Sequence, residues 1–218
     1  MVNNMKRIKT AEFLKNELNK MIAIFPEERR AIEYRYEHSL RVASIALEIA
    51  KKEGLDEDRC YIGALLHDIG YSVPYNDQSE YINHGRISAK IARPFLESLG
   101  YSKEEVDEIC YGIAIHVDDK ADFEGERTAL AVTIGDADNI DRFDAFRIYD
   151  RLTWIDYKNL SLDKQKEHVD SALNTLFKYL NYECATPTAT ELWKEKISFQ
   201  IEFYNRLRKQ IDNSVIKN

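Results

Sequence analysis

The chain has 218 residues, of which 44% are hydrophobic and 32% charged, and its formal net charge is −7. This composition is typical of a folded globular protein with a core large enough to bury a polar site, and it argues against disorder. The negative charge opposes binding to nucleic acid polymers and anionic membranes, so we expect neither as a partner. A small phosphorylated ligand needs only a local cationic site.

The cysteines and the N-terminal segment bear on the cellular compartment. Cys60, Cys110 and Cys184 are odd in number, widely spaced and without a C-x-x-C pair, which is typical of reduced thiols. The N-terminal segment lacks the apolar run of a secretory signal, and no apolar run approaches the ~18 residues of a membrane span. We therefore expect a cytoplasmic protein.

Helical periodicity dominates the whole chain, and no convincing alternating strand pattern appears. The predicted helices cover about 6–24, 26–53, 56–68, 84–99, 102–116, 128–143, 143–157, 162–181 and 187–212. The triplet "VTI" at 132–134 permits a short strand, but we prefer a helix there. The predicted fold class is all-α.

The stretch "ALLHDIGYS", residues 64–72, places His67 and Asp68 at the end of a predicted buried helix. Helix C-termini carry partial negative charge and favour cations, so an aspartate is unexpected there. An unpaired buried carboxylate would cost several kcal/mol. A divalent cation would neutralise Asp68 and use the lone pairs of His67 and His38.

Each histidine also has a structural interpretation. His38 lies on the apolar stripe of its helix, where a lone histidine is more often a hydrogen-bonded core residue than a ligand. His84 and His116 lie at predicted helix ends, where capping or the helix dipole would explain them. Two inward-facing histidines beside Asp68 nevertheless favour a metal site.

A second carboxylate ligand is expected from "GDADNIDRFD", residues 135–144. This segment differs from a calcium-binding loop because Ile140 occupies a ligand position. Asp138 follows Ile134 by four residues and therefore faces inward, which makes it the preferred ligand, with Asp136 as the register alternative. Imidazole and carboxylate ligands are compatible with Mn, Fe, Co, Mg, Ni or Zn.

The order His38, His67-Asp68, Asp138 resembles the H…HD…D signature of the HD-domain superfamily of metal-dependent phosphohydrolases. The supporting segments are "EHSLRVASIALEIAKKEG", "GALLHDIGY" and "GDADNID". The resemblance implies an HD-domain-like helical bundle with a core over about 30–145. We accordingly expect one domain over 1–218, with helix 6–24 and the C-terminal helices, about 143–212, packed on that core.

The resemblance also assigns roles. The implied metal ligands are His38, His67, Asp68 and Asp138, joined by His84 and His116, which in some members bind a second metal or contact the substrate phosphate. Asp68, His84 and His116 are the implied catalytic residues. Clustered carboxylates would repel one another without a metal, so we expect Asp68→Ala to stabilise the metal-free protein.

The substrate implied by the resemblance is a phosphate ester or anhydride, such as a nucleotide. Arg41 and Arg86 are candidate phosphate contacts, and Lys120 is a weaker one. Members that hydrolyse cyclic di-guanylate carry a "GYP" element, which is missing here. The resemblance therefore does not support a cyclic dinucleotide substrate.

Two alternatives remain open. The ligand order also resembles the HD-fold mixed-valence di-iron oxygenases, which an iron-loaded, near-ultraviolet-absorbing sample inert towards phosphate esters would favour. The aromatic-rich C-terminal region also permits a non-catalytic metal- or ligand-sensing module, or a homodimer contact.

Overall fold

The computed structural model describes residues 2–75 and 77–214. Within these ranges the regular elements are all helical and no strand occurs, which confirms the all-α prediction. The α-helices are α1 Val2–Ile24, α2 Arg29–Glu53, α3 Glu57–Leu66, α4 Gln78–Ile82, α5 His84–Ser98, α6 Lys103–Ile115, α7 Ala129–Asp141, α8 Ala145–Trp154, α9 Leu162–Tyr179 and α10 Pro187–Asp212. Short 3₁₀ turns occupy Pro26–Glu28, Ile69–Ser72 and Tyr157–Asn159.

Most predicted helices agree with the structure to within a few residues, and the "VTI" triplet lies inside α7. Two differences matter for the site. The helix predicted to reach residue 68 ends at Leu66, so His67 and Asp68 lie in the turn that follows α3. The short helix α4 was not predicted, because five residues give too little periodicity to detect.

Local sequence signals explain where two helices start. Ser102 and Glu105 form a capping box: Ser102 N–H donates to Glu105 Oε2 at 2.8 Å, and Glu105 N–H donates to Ser102 Oγ at 3.3 Å. Asp77 caps α4, where its Oδ1 accepts from the backbone N–H groups of Ser79 and Glu80.

The chain divides into two compact units, Met1–Asn139 and Ile140–Asn218. In the first unit, α2 packs on α3 and α5 packs on α6 around one apolar core. Its members include Leu14, Leu18, Val42, Ala46, Ile62, Leu65, Leu66, Leu96, Ile109, Ile113 and Ile134. The expectation that both units belong to a single domain stays a prediction.

In the second unit, α9 packs against α10. The Trp193 ring lies 4.8 Å from the Phe143 ring, and its indole N–H donates to the Tyr179 carbonyl at 2.7 Å. These contacts place predicted C-terminal aromatics in the packing of this unit. No helix in the described part of the chain is both long and apolar enough to cross a lipid bilayer.

Two glycines allow the close backbone approaches that assemble the site. A Cβ on Gly70 would lie 2.8 Å from the His84 carbonyl oxygen, and a Cβ on Gly85 would lie 2.6 Å from that of Ala114. Any larger residue would push these segments apart. Glycine at both positions therefore lets the turn after α3 approach α5, and α5 approach the end of α6, beside His116.

Candidate metal centre

Six side chains from separate parts of the first unit converge on one buried cluster. His38 lies within α2, His67 and Asp68 follow α3, His84 begins α5, His116 follows α6, and Asp138 lies in the last turn of α7. They form three overlapping sets whose ligand atoms lie within 4.8 Å of one another: His38, His67 and Asp68; His67, His116 and Asp138; and Asp68, His84 and His116. The structure thus brings together all six residues predicted to bind metal.

Asp68 lies at the centre of the cluster, and its two carboxylate oxygens face different partners. Oδ1 lies 3.2 Å from His84 Nε2 and 3.6 Å from His116 Nε2. Oδ2 lies 3.4 Å from His67 Nε2 and accepts a hydrogen bond from Arg35 Nη1 at 3.1 Å. Asp68 is therefore positioned to join two groups of imidazoles.

The second carboxylate of the cluster is Asp138. Its Oδ1 lies 3.1 Å from His38 Nε2 and 3.7 Å from His67 Nε2. Asp136 is also buried but belongs to none of the three sets. This geometry favours Asp138 over the register alternative.

Three of the imidazoles are held in one tautomer by the backbone. The Nδ1 atoms of His67, His84 and His116 lie within hydrogen-bond distance of the carbonyl oxygen three residues earlier. These carbonyls belong to Ala64 at 2.7 Å, Tyr81 at 2.8 Å and Ile113 at 2.6 Å. A carbonyl oxygen only accepts, so Nδ1 must donate, and in the neutral ring the lone pair is on Nε2. All three Nε2 atoms then point into the cluster as potential ligands.

These lone pairs lack adequate partners among the residues that the structure describes. Within that part of the chain, His67 Nε2 is fully buried and makes no hydrogen bond. His84 Nε2 and His116 Nε2 lie 3.1 Å apart, so without an added proton or cation two lone pairs face each other. A buried polar atom without a partner costs about 1–3 kcal/mol. Bound divalent metal would satisfy these atoms, and the imidazole and carboxylate donors suit a first-row transition ion.

Electrostatics keep the central carboxylate ionised. Burial alone would raise the pKa of Asp68, but in the metal-free site neighbouring imidazoles that carry an added proton on Nε2, His67 foremost, hold that pKa well below its ordinary value. Arg35 adds a positive charge at 3.1 Å. The imidazoles and the guanidinium around Asp68 therefore oppose the carboxylate repulsion that we expected in the metal-free site.

These positively charged neighbours reverse the effect that we expect Asp68→Ala to have on the stability of the metal-free protein. A carboxylate whose pKa is depressed by folding stabilises the fold at pH values above its unfolded pKa of about 3.9, and that stabilisation is lost as pH falls through the folded pKa. At pH 7 we expect the substitution to lower the free energy of unfolding by about 1–3 kcal/mol. Urea denaturation in chelator would measure it, and a higher unfolding midpoint for the variant would contradict this account.

Arg35 and the tyrosines beside the cluster were not predicted from the sequence. The Arg35 guanidinium lies 3.9 Å from the centre of the Tyr71 ring. Tyr71, Tyr75 and Tyr81 contact one another edge to face, with ring centres 5.7–6.0 Å apart. A usable signal existed for Arg35, which precedes His38 by three residues and so shares its helix face.

The two predicted phosphate contacts, Arg86 and Arg41, have different neighbours. Arg86 donates to Asp118 at 3.0 Å, to Asp122, and to the Ala114 carbonyl at 3.1 Å. Arg41 lies 5.6 Å from the Tyr34 ring centre. Substrate binding by Arg41 and Arg86 stays a prediction.

The remaining histidine, His168, lies in α9 of the second unit. It is half-buried, with its ring 5.7 Å from that of Tyr157 and 6.1 Å from that of Tyr204, and burial lowers its pKa. It is therefore partly enclosed by aromatic rings. It belongs to none of the three sets.

Comparison with known proteins identifies the region of the chain that holds this cluster. Residues 35–142 match the family model described as the HD domain. A segment of 62 residues, 28% of this chain, is 42% identical to ribonuclease Y of Pseudothermotoga lettingae and covers 12% of that protein. Across the curated relatives that it matches, the chain covers between 12% and 62% of their lengths.

Solved structures share the fold at low identity. Bacillus subtilis YpgQ in complex with ADP has a TM-score of 0.63 and 20% identity, covering 96% of this chain and 97% of that one. A predicted HD superfamily hydrolase from an uncultured Thermotogales bacterium has a TM-score of 0.57 and 22% identity, covering 80% of this chain and 79% of that one. Through residues 35–142, which hold all six clustered side chains, this chain belongs to the HD-domain family.

Proposed function

We propose that the protein is a metal-dependent phosphohydrolase acting on a small phosphate ester or anhydride, most simply a nucleotide. The observation that carries this proposal is the convergence of imidazole lone pairs and two carboxylates in three overlapping sets. A divalent ion held there would supply a Lewis acid and lower the pKa of a bound water.

The chain's own residues account for the proton transfers of such a reaction. Asp68 is anionic at neutral pH, so one of its oxygens can accept the proton of the attacking water. The His84 side chain is 18% exposed, whereas that of His116 is 1% exposed. Because His84 is the more accessible, we assign it protonation of the leaving oxygen when its Nε2 carries an added proton and binds no metal, and we assign His116 the role of holding charge within the cluster. If His84 Nε2 instead binds a second ion, it holds that ion and donates no proton.

The comparisons bear on the substrate. YpgQ shares the fold over nearly the whole chain and was solved with ADP, which supports a nucleotide ligand. The name of ribonuclease Y denotes a nuclease, and nucleases cleave phosphate ester bonds. The match to it therefore supports a phosphate ester as the substrate. The net charge of −7 disfavours an RNA polymer, and we therefore propose a small substrate.

A screen of metals against substrates tests the proposal. Metal-free protein would be reloaded with Mn, Co, Mg, Fe or Zn and incubated with nucleoside mono-, di- and triphosphates and a short RNA, with phosphate and pyrophosphate measured separately. We expect metal-dependent release from at least one nucleotide. Metal-loaded protein inert towards every phosphate compound would contradict the proposal, and near-ultraviolet absorption of an inert iron-loaded sample would favour an oxygenase.

A further inference from the structure

Arg35 contacts the buried cluster and is itself partly exposed to solvent. Its Nη1 donates to Asp68 Oδ2 at 3.1 Å. The Arg35 side chain is 31% exposed while that of Asp68 is 4% exposed. The guanidinium therefore forms a charged contact with a metal-site carboxylate and still reaches solvent.

The Arg35 guanidinium has hydrogen-bonding capacity beyond this ion pair. Among the residues that the structure describes, Asp68 is the carboxylate with which Arg35 pairs. A guanidinium carries five N–H donors in a planar fork, and one is used here. Its position 3.9 Å from the Tyr71 ring centre is compatible with cation–π support that leaves donors at the edge for a ligand.

The ion pair uses an oxygen that a metal would also require. Asp68 Oδ2, which accepts from Arg35, is the oxygen 3.4 Å from His67 Nε2. A cation held between these atoms would compete with Arg35 for the negative charge of Asp68. The ion pair between Arg35 and Asp68 would then be weaker, and Arg35 would remain as a partly buried cation. A planar guanidinium binds carboxylate and phosphate groups through paired N–H donors.

We propose that Arg35 is a phosphate-binding residue of this site, held by Asp68 in the metal-free protein and available to the substrate phosphate once a cation occupies the cluster. This inference rests on the proposed function. It couples the two binding events, because occupation of Asp68 by metal prepares Arg35 for the anion.

A role in phosphate binding and a purely structural role for Arg35 predict different effects of its removal. If Arg35 served only to orient Asp68, its removal would weaken metal binding and phosphate binding together. If it binds phosphate, its removal weakens phosphate binding while metal binding is unchanged or stronger, because a positive charge beside the cation has been removed.

Isothermal titration of Mn²⁺, and of inorganic phosphate into the Mn²⁺-loaded protein, separates these cases. For Arg35→Ala we expect phosphate affinity to fall by about tenfold to hundredfold, as for a lost charge-assisted hydrogen bond, while Mn²⁺ affinity is equal to or above that of the wild type. Arg35→Lys keeps the charge but loses the fork, so we expect an intermediate phosphate affinity. Arg30→Ala, on the same helix and paired with Glu37 at 2.7 Å, is the matched control and should change neither affinity.

The outcomes are distinct. Equal phosphate affinity in wild type, Arg35→Ala and Arg35→Lys would overturn the inference alone. Parallel loss of Mn²⁺ and phosphate affinity in Arg35→Lys, with an unchanged thermal midpoint, would overturn it in favour of the structural role. Wild-type protein that binds Mn²⁺ but neither phosphate nor any nucleotide would overturn the proposed function together with the inference.

Discussion

Asp68→Ala is expected to lower the content of bound transition metal sharply and to reduce turnover in the proposed phosphohydrolase reaction by roughly a thousandfold or more. The reason is that Asp68 belongs to two of the three ligand sets and faces His67 with one oxygen and His84 with the other. Elemental analysis after loading with Mn²⁺ and removal of free ion measures the first effect, and the nucleotide assay measures the second.

A matched control distinguishes loss of a ligand from loss of a buried charge. Asp58 is also buried, lies in α3, and pairs with Arg7 at 2.6 Å outside the cluster. Asp58→Ala should destabilise the protein but leave its metal content per folded chain unchanged. Wild-type metal content in Asp68→Ala would show that Asp68 is not a ligand.

His84→Ala is expected to have the second largest effect, and it tests whether the cluster holds two metals. His84 belongs to one set, with Asp68 and His116, so its removal spares the set formed by His38, His67 and Asp68. If two ions bind, we expect the metal content of fully loaded protein to fall by about half, because one site loses a ligand. Turnover should fall by roughly tenfold to ten-thousandfold, the range for one acid–base or charge-stabilising group.

His168→Ala provides the comparison, since it removes a half-buried histidine from the second unit. It should alter neither metal content nor turnover per folded chain. Reduced turnover of His84→Ala with unchanged metal content would assign His84 to phosphate or proton transfer alone. Wild-type values for both quantities would remove His84 from the site.

The sequence by itself predicted the long helices and the six candidate ligands. Apolar spacing predicted the long helices because burial of one helix face is a local, periodic property. An aspartate beside a histidine at a helix end indicated the site because it conflicts with the helix dipole. That conflict depends on neighbouring residues only.

The tertiary structure decided the tautomers and the hydrogen-bond partners of these candidate ligands. The short helix α4 supplies the Tyr81 carbonyl that holds His84 in its Nδ1–H tautomer, and local periodicity did not predict this helix. The surroundings of Asp68 were also not predicted from the sequence. They include Arg35, which is 33 positions away in the chain yet 3.1 Å away in space.

These features share one physical reason. A ligand's residue type is encoded at its own position, but its protonation state and its partners depend on distances between segments that only packing fixes. Gly70 and Gly85 show this dependence directly, because each permits a backbone approach that a Cβ would block. The sequence therefore determined which side chains form the cluster, and the packing of α2, α3, α5, α6 and α7 decided which of their atoms face one another.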